Sequence, residues 1–142
     1  MRFMIIVKST PEFELETAPQ TPDEKLMAAM ADFHEELSKA GVLLDASGLQ
    51  PSRKGWRIHY EKGGKRTVVD GPFAESKELI ARFTTIQVRS REEALQWSRR
   101  FPNPAGVGQP AVIEVRQLYE LADFTPNEQV DRFREMNTPS QK

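Results

Sequence analysis

Two amphipathic helical patterns set between strand-like segments constrain the fold of this 142-residue chain more than any other feature. In the first pattern, apolar side chains recur at the spacing of one helical face: Leu26, Met30, Phe33 and Leu37. Thr21 as N-cap and Pro22 at the first helical position are typical of a helix start, and Gly41 is typical of a helix end. A helix is therefore predicted over residues 22–40, with one apolar stripe for the face of a sheet.

The second helix and the strands complete the pattern. Ser90 and Glu93 predict a capping box at the start of that helix, and its apolar face extends to Phe101. Strands are predicted at residues 2–8, 42–49, 56–60, 66–69 and 82–88, and at 111–116. Gly63 and Gly64 indicate a hairpin turn between the third and fourth of these. The order β–α–β–hairpin–β–α–β predicts a ferredoxin-like α+β sandwich with an inserted β-hairpin.

The apolar character of the first strand on both faces places it in the centre of the sheet. Two helices cover only one face of a sheet, and the other face also carries apolar positions. A second copy of the chain is the simplest cover, so we predict a homodimer with the sheets facing each other. One domain is predicted over residues 1–124, followed over 125–142 by a short amphipathic helix and a tail that frays from Asn137.

Composition excludes several classes of function. The net charge of −1 provides no overall field to hold a nucleic acid or an anionic membrane. With no cysteine and two histidines, we expect no disulfide framework, no thiolate nucleophile, no metal site and no cofactor. The N-terminal strand is charged too early for a secretory signal, and no apolar run approaches the roughly 20 residues of a membrane span. A cytoplasmic protein is the expectation.

The run from Asp70 to Glu78 contains the most particular residue types in the chain. Gly71 and Pro72 set a sharp turn at a strand end, and Phe73 closes that turn from its apolar side. Asp70 is a candidate general acid or base if desolvation shifts its pKa. The alternative, which we favour, is that its carboxylate caps backbone N–H groups of the turn.

Further candidates come from strand alternation and from charge. His59, Glu114, Arg116 and Gln87 would converge with Asp70 in a dimer cleft if the polar strand faces look into it. There Arg116 would bind a carboxylate and His59 would carry a proton, whereas the alternative is a solvated face with a surface ion pair. Lys77 is a candidate ligand-binding residue on a charged rim, or else part of a salt-bridged clamp with its acidic neighbours.

Residues 53–66 hold six basic residues and one acid, with Trp56 and Tyr60 between them. Such a pattern is superficially typical of a single-strand nucleic-acid platform. The two aromatics alternate toward the expected inner side of a half-buried strand, so a solvated hairpin is the prediction. His34 neighbours the apolar stripe of the first helix, and a surface or partly packed role is expected for it.

The segment Asp70-Gly71-Pro72-Phe73-Ala74-Glu75, followed by Lys77-Glu78-Leu79, resembles the DGPF branch of the YCII-related family. The likeness extends over about residues 1–124. Other matching segments are Ala40-Gly41-Val42-Leu43-Leu44, Gly48-Leu49-Gln50-Pro51, Glu93-Ala94-Leu95-Gln96-Trp97, Ile113-Glu114-Val115-Arg116 and Asp123-Phe124. The resemblance implies a dimeric α/β-barrel fold. It implies no single reaction, and some members occur beside extracytoplasmic-function sigma factors.

The chain departs from the pattern of the family at two steps. Gln50 stands where the family's step resembles Gly-Leu-His-Pro, and Arg82-Phe83 replaces its usual Gly-Phe. A dyad proposed for the shorter branch pairs a helix-one His with an Asp before a Pro. The matching positions here are Met30 and Phe101, so that dyad is not carried over.

Two functions from different classes are therefore open. In the first, the protein binds a small polar ligand in a cleft near Asp70 and works as a cofactor-free acid–base enzyme. In the second, it is a non-catalytic regulatory or partner-binding protein linked to a sigma factor. A buried Asp70 beside a pocket would favour the first, whereas an Asp70 engaged by turn N–H groups would favour the second.

Overall fold

The computed structural model describes residues 1–15 and 23–137, which form an α+β fold with two antiparallel sheets and four α-helices. The strands are β1 (Arg2–Lys8), β2 (Leu43–Gly48), β3 (Trp56–Tyr60), β4 (Arg66–Asp70), β5 (Ile80–Gln87) and β6 (Ile113–Gln117). The helices are α1 (Pro11–Glu14), α2 (Glu24–Lys39), α3 (Arg91–Arg99) and α4 (Glu128–Asn137), with 3₁₀ turns at Ser52–Lys54, Ser76–Glu78 and Leu121–Asp123. The predicted α+β class is confirmed, and within these residues the strands do not close into a barrel.

The larger sheet has four strands in the order β2–β5–β1–β6, and every neighbouring pair is antiparallel. Strand β1 is central, as its apolar sequence predicted. Phe3, Ile5 and Val7 are buried in the core on the helix side, and Ile6 is buried on the opposite side. A strand flanked by two others, with buried side chains on both of its faces, favours such an almost uninterrupted apolar run.

Helices α2 and α3 pack on one face of the larger sheet and contribute the helical side of the core. The stripe predicted for α2 is confirmed, because Met30, Phe33 and Leu37 are buried against the sheet. The rings of Phe33 and Phe101 meet edge to face with centroids 5.4 Å apart. Full burial of such side chains contributes about 1.5–3 kcal/mol each, so this stripe holds the helix to the sheet.

Helix α2 begins two residues later than predicted. Its N-cap is Asp23, whose carboxylate accepts a hydrogen bond from the Leu26 N–H at 2.9 Å. An aspartate in this place satisfies one of the free amide groups of the first turn, which fixes the start at Glu24. Thr21 and Pro22, predicted as cap and first helical residue, lie outside the described residues.

The other helix starts are also capped by side chains. Ser90 Oγ accepts from the Glu93 N–H at 3.1 Å, as predicted for α3. The Glu93 carboxylate accepts from the Arg89 N–H, not from that of Ser90, so the capping box is not reciprocal. In α4 the Asn127 side chain accepts from the Val130 N–H at 2.9 Å. The tail predicted to fray lies outside the described residues beyond 137.

Strands β3 and β4 form a separate two-stranded sheet, the inserted hairpin. The prediction that its aromatic residues face inward on a half-buried strand is wrong. All of β3 is exposed, and the side chains of Trp56 and Tyr60 are 63% and 71% exposed. The reason is tertiary: the hairpin pairs with no strand of the larger sheet and contacts the remaining elements only sparsely, so neither of its faces reaches the core.

The helix-free face of the larger sheet is partly buried within one chain. Ile6 and Thr85, which both lie on that face, are 6% and 8% exposed. One part of the face that was expected to need a second copy is therefore already shielded from solvent, and the homodimer with facing sheets stays a prediction.

Candidate functional site

The turn of residues 70–73, here called the DGPF turn, is built against the 3₁₀ turn at Ser52–Lys54. The Gly71 N–H donates to the Gly55 carbonyl at 3.0 Å, and the Phe73 N–H donates to Ser52 Oγ at 3.0 Å. The Glu14 carboxylate in turn accepts from the Ser52 N–H and from its hydroxyl. These contacts involve Gly71 and Phe73, two of the residues predicted to be structural, and they tie the turn through Ser52 to helix α1.

Asp70 occupies neither of the environments considered for it. Its side chain is exposed, has no hydrogen-bond partner among residues 1–15 and 23–137, and lines none of the three cavities described below. The hairpin register pairs Asp70 with Trp56 and His59 with Thr67. Directly paired residues share a face, and Trp56 and His59 are an odd number of residues apart, so Asp70 and His59 lie on opposite faces of the hairpin. The single chain does not bring these two candidates together.

The candidates Gln87, Glu114 and Arg116 do share one surface, the helix-free face of the larger sheet. Their partners on β1 are alternate residues of that face: Arg2 for Gln87, Met4 for Arg116 and Ile6 for Glu114. No ion pair joins Glu114 and Arg116 in the described part of the chain. Because Asp70 and His59 belong to the other sheet, the predicted five-residue cluster divides into a group of three and two separate residues.

The largest of the three cavities lies where β1 ends and β5 begins, beside the segment that follows the DGPF turn. We call it the main cavity, and its volume is about 500 Å³. It is lined by Val7, Lys8, Ser9, Thr10, Phe13, Lys77, Ala81, Arg82, Pro104, Ala105, Pro110, Ala111 and Val112. The wall is mostly apolar, and its charged members are all cationic.

Those three cations, Lys8, Lys77 and Arg82, have no acidic neighbour in the cavity wall. None of them has an ion-pair partner in the part of the chain that the structure describes, so the predicted clamp between Lys77 and its acidic neighbours is not formed. Burial lowers the pKa of the Arg82 guanidinium, because desolvation disfavours its charged form. A bound anion would supply the counter-charge that this half-buried arginine lacks.

Lys8 and Arg82 were not among the site residues predicted from the sequence. The available signal for Arg82 was the Arg82-Phe83 step, where a charged residue replaces the glycine usual in the resembling family. No comparable signal marked Lys8, because a basic residue at a strand end is common. Only the fold brings both beside Lys77.

One wall of the main cavity is a loop braced by Asn103. Its Nδ2 donates to the Gln109 carbonyl at 2.7 Å, and its Oδ1 accepts from the Ala105 N–H at 2.9 Å. One amide side chain therefore holds the loop at two points, near each of its ends. Pro104 and Pro110, which line the cavity, flank these contacts and limit the backbone further.

A smaller cavity of about 270 Å³ lies between α2, β2 and β5 and is called here the helix-side cavity. His34 lines it together with Arg82, which also borders the main cavity. His34 is half-buried and partly packed, as expected: Nδ1 lies 2.7 Å from the Met30 carbonyl and Nε2 lies 2.7 Å from Thr84 Oγ1. Both ring nitrogens are engaged in structural hydrogen bonds.

Within residues 1–15 and 23–137, no group of three or more His, Asp or Glu side chains is placed to hold a metal ion. Across the same residues, no helix combines the length and the apolar character needed to cross a lipid bilayer.

Comparison with known proteins places the chain in a family. An uncharacterised protein of Rhizobium meliloti is 32% identical over 81 residues, which is 57% of this chain and 64% of that protein. The chain therefore matches somewhat less than two thirds of that relative's length. The model of the YCII-related domain matches residues 1–122. Since this match covers most of the sequence and both helices of the core, the chain belongs to the YCII-related family.

Proposed function

We propose that this protein binds a small organic anion, a carboxylate with an apolar body, in the main cavity. The observation that carries the proposal is the set of three cations, Lys8, Lys77 and Arg82, in a mostly apolar wall without an acid. The volume of about 500 Å³ lies within the range of about 300–1,000 Å³ that is usual for small-molecule sites.

Each part of the cavity supports a part of this ligand. Arg82 offers a planar fork of N–H donors that matches a carboxylate, and its partial burial strengthens such a hydrogen bond. Lys8 and Lys77 add positive charge at the rim. Phe13, Val112 and the proline residues of the wall provide apolar surface for the body of the ligand.

The arrangement favours binding over acid–base catalysis. The titratable side chains that line the main cavity are two lysines and one arginine, and neither Asp70 nor His59 is among them. A cofactor-free enzyme near the DGPF turn would require a catalytic role for Asp70 or His59. Because both side chains lie outside the main cavity, that role needs a second surface that faces them and holds a substrate there. In this proposal the segment after the DGPF turn takes part in binding through Lys77, whose ammonium group attracts the carboxylate of the ligand.

The proposal also includes the pairing of two chains, the branch of the family and the location of the protein. The strand order β2–β5–β1–β6 supports a ferredoxin-like sandwich, and the apolar residues of the helix-free sheet face support pairing of two chains as a dimeric α/β barrel. Gln87, Glu114 and Arg116 would then lie at the interface or in the cleft. Membership of the DGPF branch and a cytoplasmic location are proposed on the sequence features given above.

The second candidate function, partner binding without catalysis, is favoured by one specific observation. The hairpin exposes four large apolar side chains on one of its faces: Trp56, Ile58, Tyr60 and Val68. A cluster of exposed apolar side chains is typical of a surface that binds another protein. A connection with a sigma factor stays an implication of the family resemblance.

The proposal is tested by thermal-shift and calorimetric titration with a graded series of carboxylates, from acetate through hexanoate to octanoate, and with benzoate and inorganic phosphate. We expect affinity to rise with chain length, because each buried CH₂ contributes about 0.8 kcal/mol, close to fourfold in affinity. A ligand at 100 times its dissociation constant stabilises the protein by roughly 2.7 kcal/mol, which such a scan detects.

Three variants assign the site. Arg82→Met and Lys77→Met should abolish or weaken the response, whereas Asp70→Asn, a one-unit change of charge of the opposite sign outside the cavity, should keep it. The proposal fails if no carboxylate binds, or if binding is unchanged in Arg82→Met. A response lost in Asp70→Asn would move the site to the DGPF turn, and equal binding of phosphate would remove the need for an apolar body.

A further inference from the structure

The wall of the main cavity contains a buried hydroxyl group that lacks a good hydrogen bond. Ser9, the residue after strand β1, is 6% exposed and is the most deeply buried polar residue of that wall. Its Oγ lies 3.5 Å from the Thr10 carbonyl oxygen, whereas O–H···O hydrogen bonds in proteins measure about 2.5–3.0 Å. Within residues 1–15 and 23–137 this Oγ has no other hydrogen-bond partner.

Two comparable hydroxyl groups of the chain have ordinary partners. Thr10 Oγ1, which also belongs to the cavity wall, accepts from the Phe13 N–H at 3.2 Å and caps helix α1. Ser98 Oγ, which is buried on α3, donates to the Leu95 carbonyl at 2.9 Å. A buried hydroxyl without such a partner is unfavourable, because water satisfies it before folding. Since Ser9 lines a cavity, a bound molecule is able to provide the partner that its hydroxyl lacks.

Ser9 lies on the same side of the sheet as Arg82. Val7 pairs with Arg82 across β1 and β5, and directly paired residues share a face. Ser9 lies two residues beyond Val7, and alternate residues of an extended segment share a face as well. Its N–H donates to the Leu79 carbonyl at 2.8 Å, which continues the antiparallel pairing beyond the register shift that follows Val7. The two positions are therefore diagonal neighbours, about 7–8 Å apart.

Of the three cavities, the main cavity combines a cation with an unpaired buried hydroxyl. The helix-side cavity shares Arg82, but its buried hydroxyl, Thr84 Oγ1, already lies 2.7 Å from His34 Nε2. The third cavity, of about 360 Å³, lies beside helix α4 and is lined by residues between positions 121 and 133, none of which is charged. A ligand that carries both a carboxylate and a hydroxyl therefore fits the main cavity better than the other two.

We infer that the anion bound in the main cavity is a hydroxycarboxylate with its hydroxyl group on carbon 2 or carbon 3. The inference rests on the proposed function and specifies its ligand: Arg82 binds the carboxylate, and Ser9 Oγ forms a hydrogen bond with the ligand hydroxyl. Both hydroxyls donate and accept, so the bond forms in either direction. The diagonal spacing of the two residues fits a hydroxyl close to the carboxylate, whereas a hydroxyl at the far end of the ligand would meet the apolar wall.

The three contacts of such a ligand make the site sensitive to its handedness. The carboxylate is held at Arg82, the hydroxyl at Ser9, and the carbon chain at the apolar wall that includes Phe13 and Val112. One enantiomer places all three groups at their partners at once. In its mirror image, either the hydroxyl or the carbon chain is displaced. The difference in affinity between the two enantiomers therefore reports the contact with Ser9.

Calorimetric titration of the full chain tests the inference. The ligands are both enantiomers of 2-hydroxyhexanoate and of 3-hydroxyhexanoate, with hexanoate and 6-hydroxyhexanoate as references. For at least one of the two chiral acids, we expect one enantiomer to bind roughly three- to tenfold more tightly than its mirror image, which is the effect of one hydrogen bond. Enantiomers contain the same chemical groups, so the cost of removing the hydroxyl from water cancels in this comparison.

Two serine variants assign the preference to its residue. Ser9→Ala should bring the affinities of the two enantiomers together, because the hydroxyl that distinguishes them is removed. Ser98→Ala is the matched control and should keep the preference, since it removes another buried serine hydroxyl that does not line the cavity. Ser9→Ala should also weaken binding of the preferred enantiomer more than binding of 6-hydroxyhexanoate. Far-ultraviolet circular dichroism verifies that both variants are folded.

The possible results separate this inference from the proposed function. If neither hexanoate nor any hydroxy acid binds, both are wrong. If hexanoate binds and wild type prefers no enantiomer, the hydroxycarboxylate inference alone is wrong, and the proposed carboxylate site stands. A preference that persists in Ser9→Ala would also overturn the inference. So would an equal loss of affinity for 6-hydroxyhexanoate, because Ser9 would then only shape the cavity.

Discussion

Gly71 lies so close to Ser52 that a Cβ atom at position 71 would stand 1.8 Å from the Ser52 carbonyl oxygen and 2.6 Å from its carbonyl carbon. No side chain fits there without moving the backbone. The DGPF turn therefore requires glycine for a steric reason, because the neighbouring turn at Ser52–Lys54 passes directly over it.

The substitution Gly71→Ala should destabilise the fold by about 1–3 kcal/mol or more, the usual cost of forced overpacking. Gly48→Ala is the matched control, since a Cβ at Gly48 would meet nothing within 4 Å. Urea denaturation monitored by tryptophan fluorescence provides the comparison. Equal denaturation midpoints for the two variants would contradict this prediction, because they would show that the turn accommodates a Cβ atom at position 71 without a loss of stability.

The Ser52 hydroxyl connects helix α1 to the DGPF turn, since it contacts the Glu14 carboxylate and accepts from the Phe73 N–H. Ser52→Ala leaves that N–H without its acceptor, and we expect a loss of about 1–2 kcal/mol. Amide hydrogen exchange at Phe73 should accelerate accordingly. Ser38→Ala, on an exposed helical position, serves as the control and should leave the exchange at Phe73 unchanged.

His34 has a defined tautomer in its neutral form. A carbonyl oxygen only accepts hydrogen bonds, so Nδ1 carries the proton that is donated to Met30, and Nε2 accepts from the Thr84 hydroxyl. Nitrogen chemical shifts of the imidazole should show the Nδ1–H form. Thr84→Val should destabilise the protein by about 1–2 kcal/mol and shift the Nε2 resonance. A dominant Nε2–H form would contradict this assignment.

Arg82 is expected to lower the stability of the ligand-free protein and to be required for carboxylate binding. Burial lowers the pKa of its guanidinium, which means that the folded protein holds the charged group less favourably than water does. Arg82→Met keeps much of the length of the side chain and removes the unpaired charge. We expect it to stabilise the ligand-free protein by no more than about 1 kcal/mol, because solvent screens the half-exposed guanidinium, while it abolishes carboxylate binding. A destabilised Arg82→Met would indicate that the guanidinium has a structural partner.

Asn103 should control the shape of the main cavity. Its side chain holds two points of the loop that forms one wall, and Asn103→Ala removes both hydrogen bonds. We expect faster limited proteolysis near Val107 and a roughly fivefold weaker carboxylate affinity, since one hydrogen-bonded restraint is worth on the order of 1 kcal/mol. Asn127→Ala, which affects only the start of α4, should leave the cleavage rate near Val107 unchanged.

The sequence by itself determined the class of fold, because its signals were local. The spacing of Met30, Phe33 and Leu37 required a helix with one buried face, and the apolar run of β1 required a central strand. The serine cap of α3 depends on residues within one turn of the helix, and it was predicted for the same reason. Such features follow from chain geometry and from the burial of apolar surface over short distances.

The tertiary structure decided which chemical groups meet. Alternation correctly separated Trp56 from His59, but the pairing of Asp70 with Trp56 depends on the hairpin register, which set the two acid–base candidates on opposite faces. Exposure of the hairpin depends on contacts that no local pattern encodes. Lys8, Lys77 and Arg82 come from three separate segments, and they line one cavity only because β1, β5 and the residues after the DGPF turn converge at one end of the sheet.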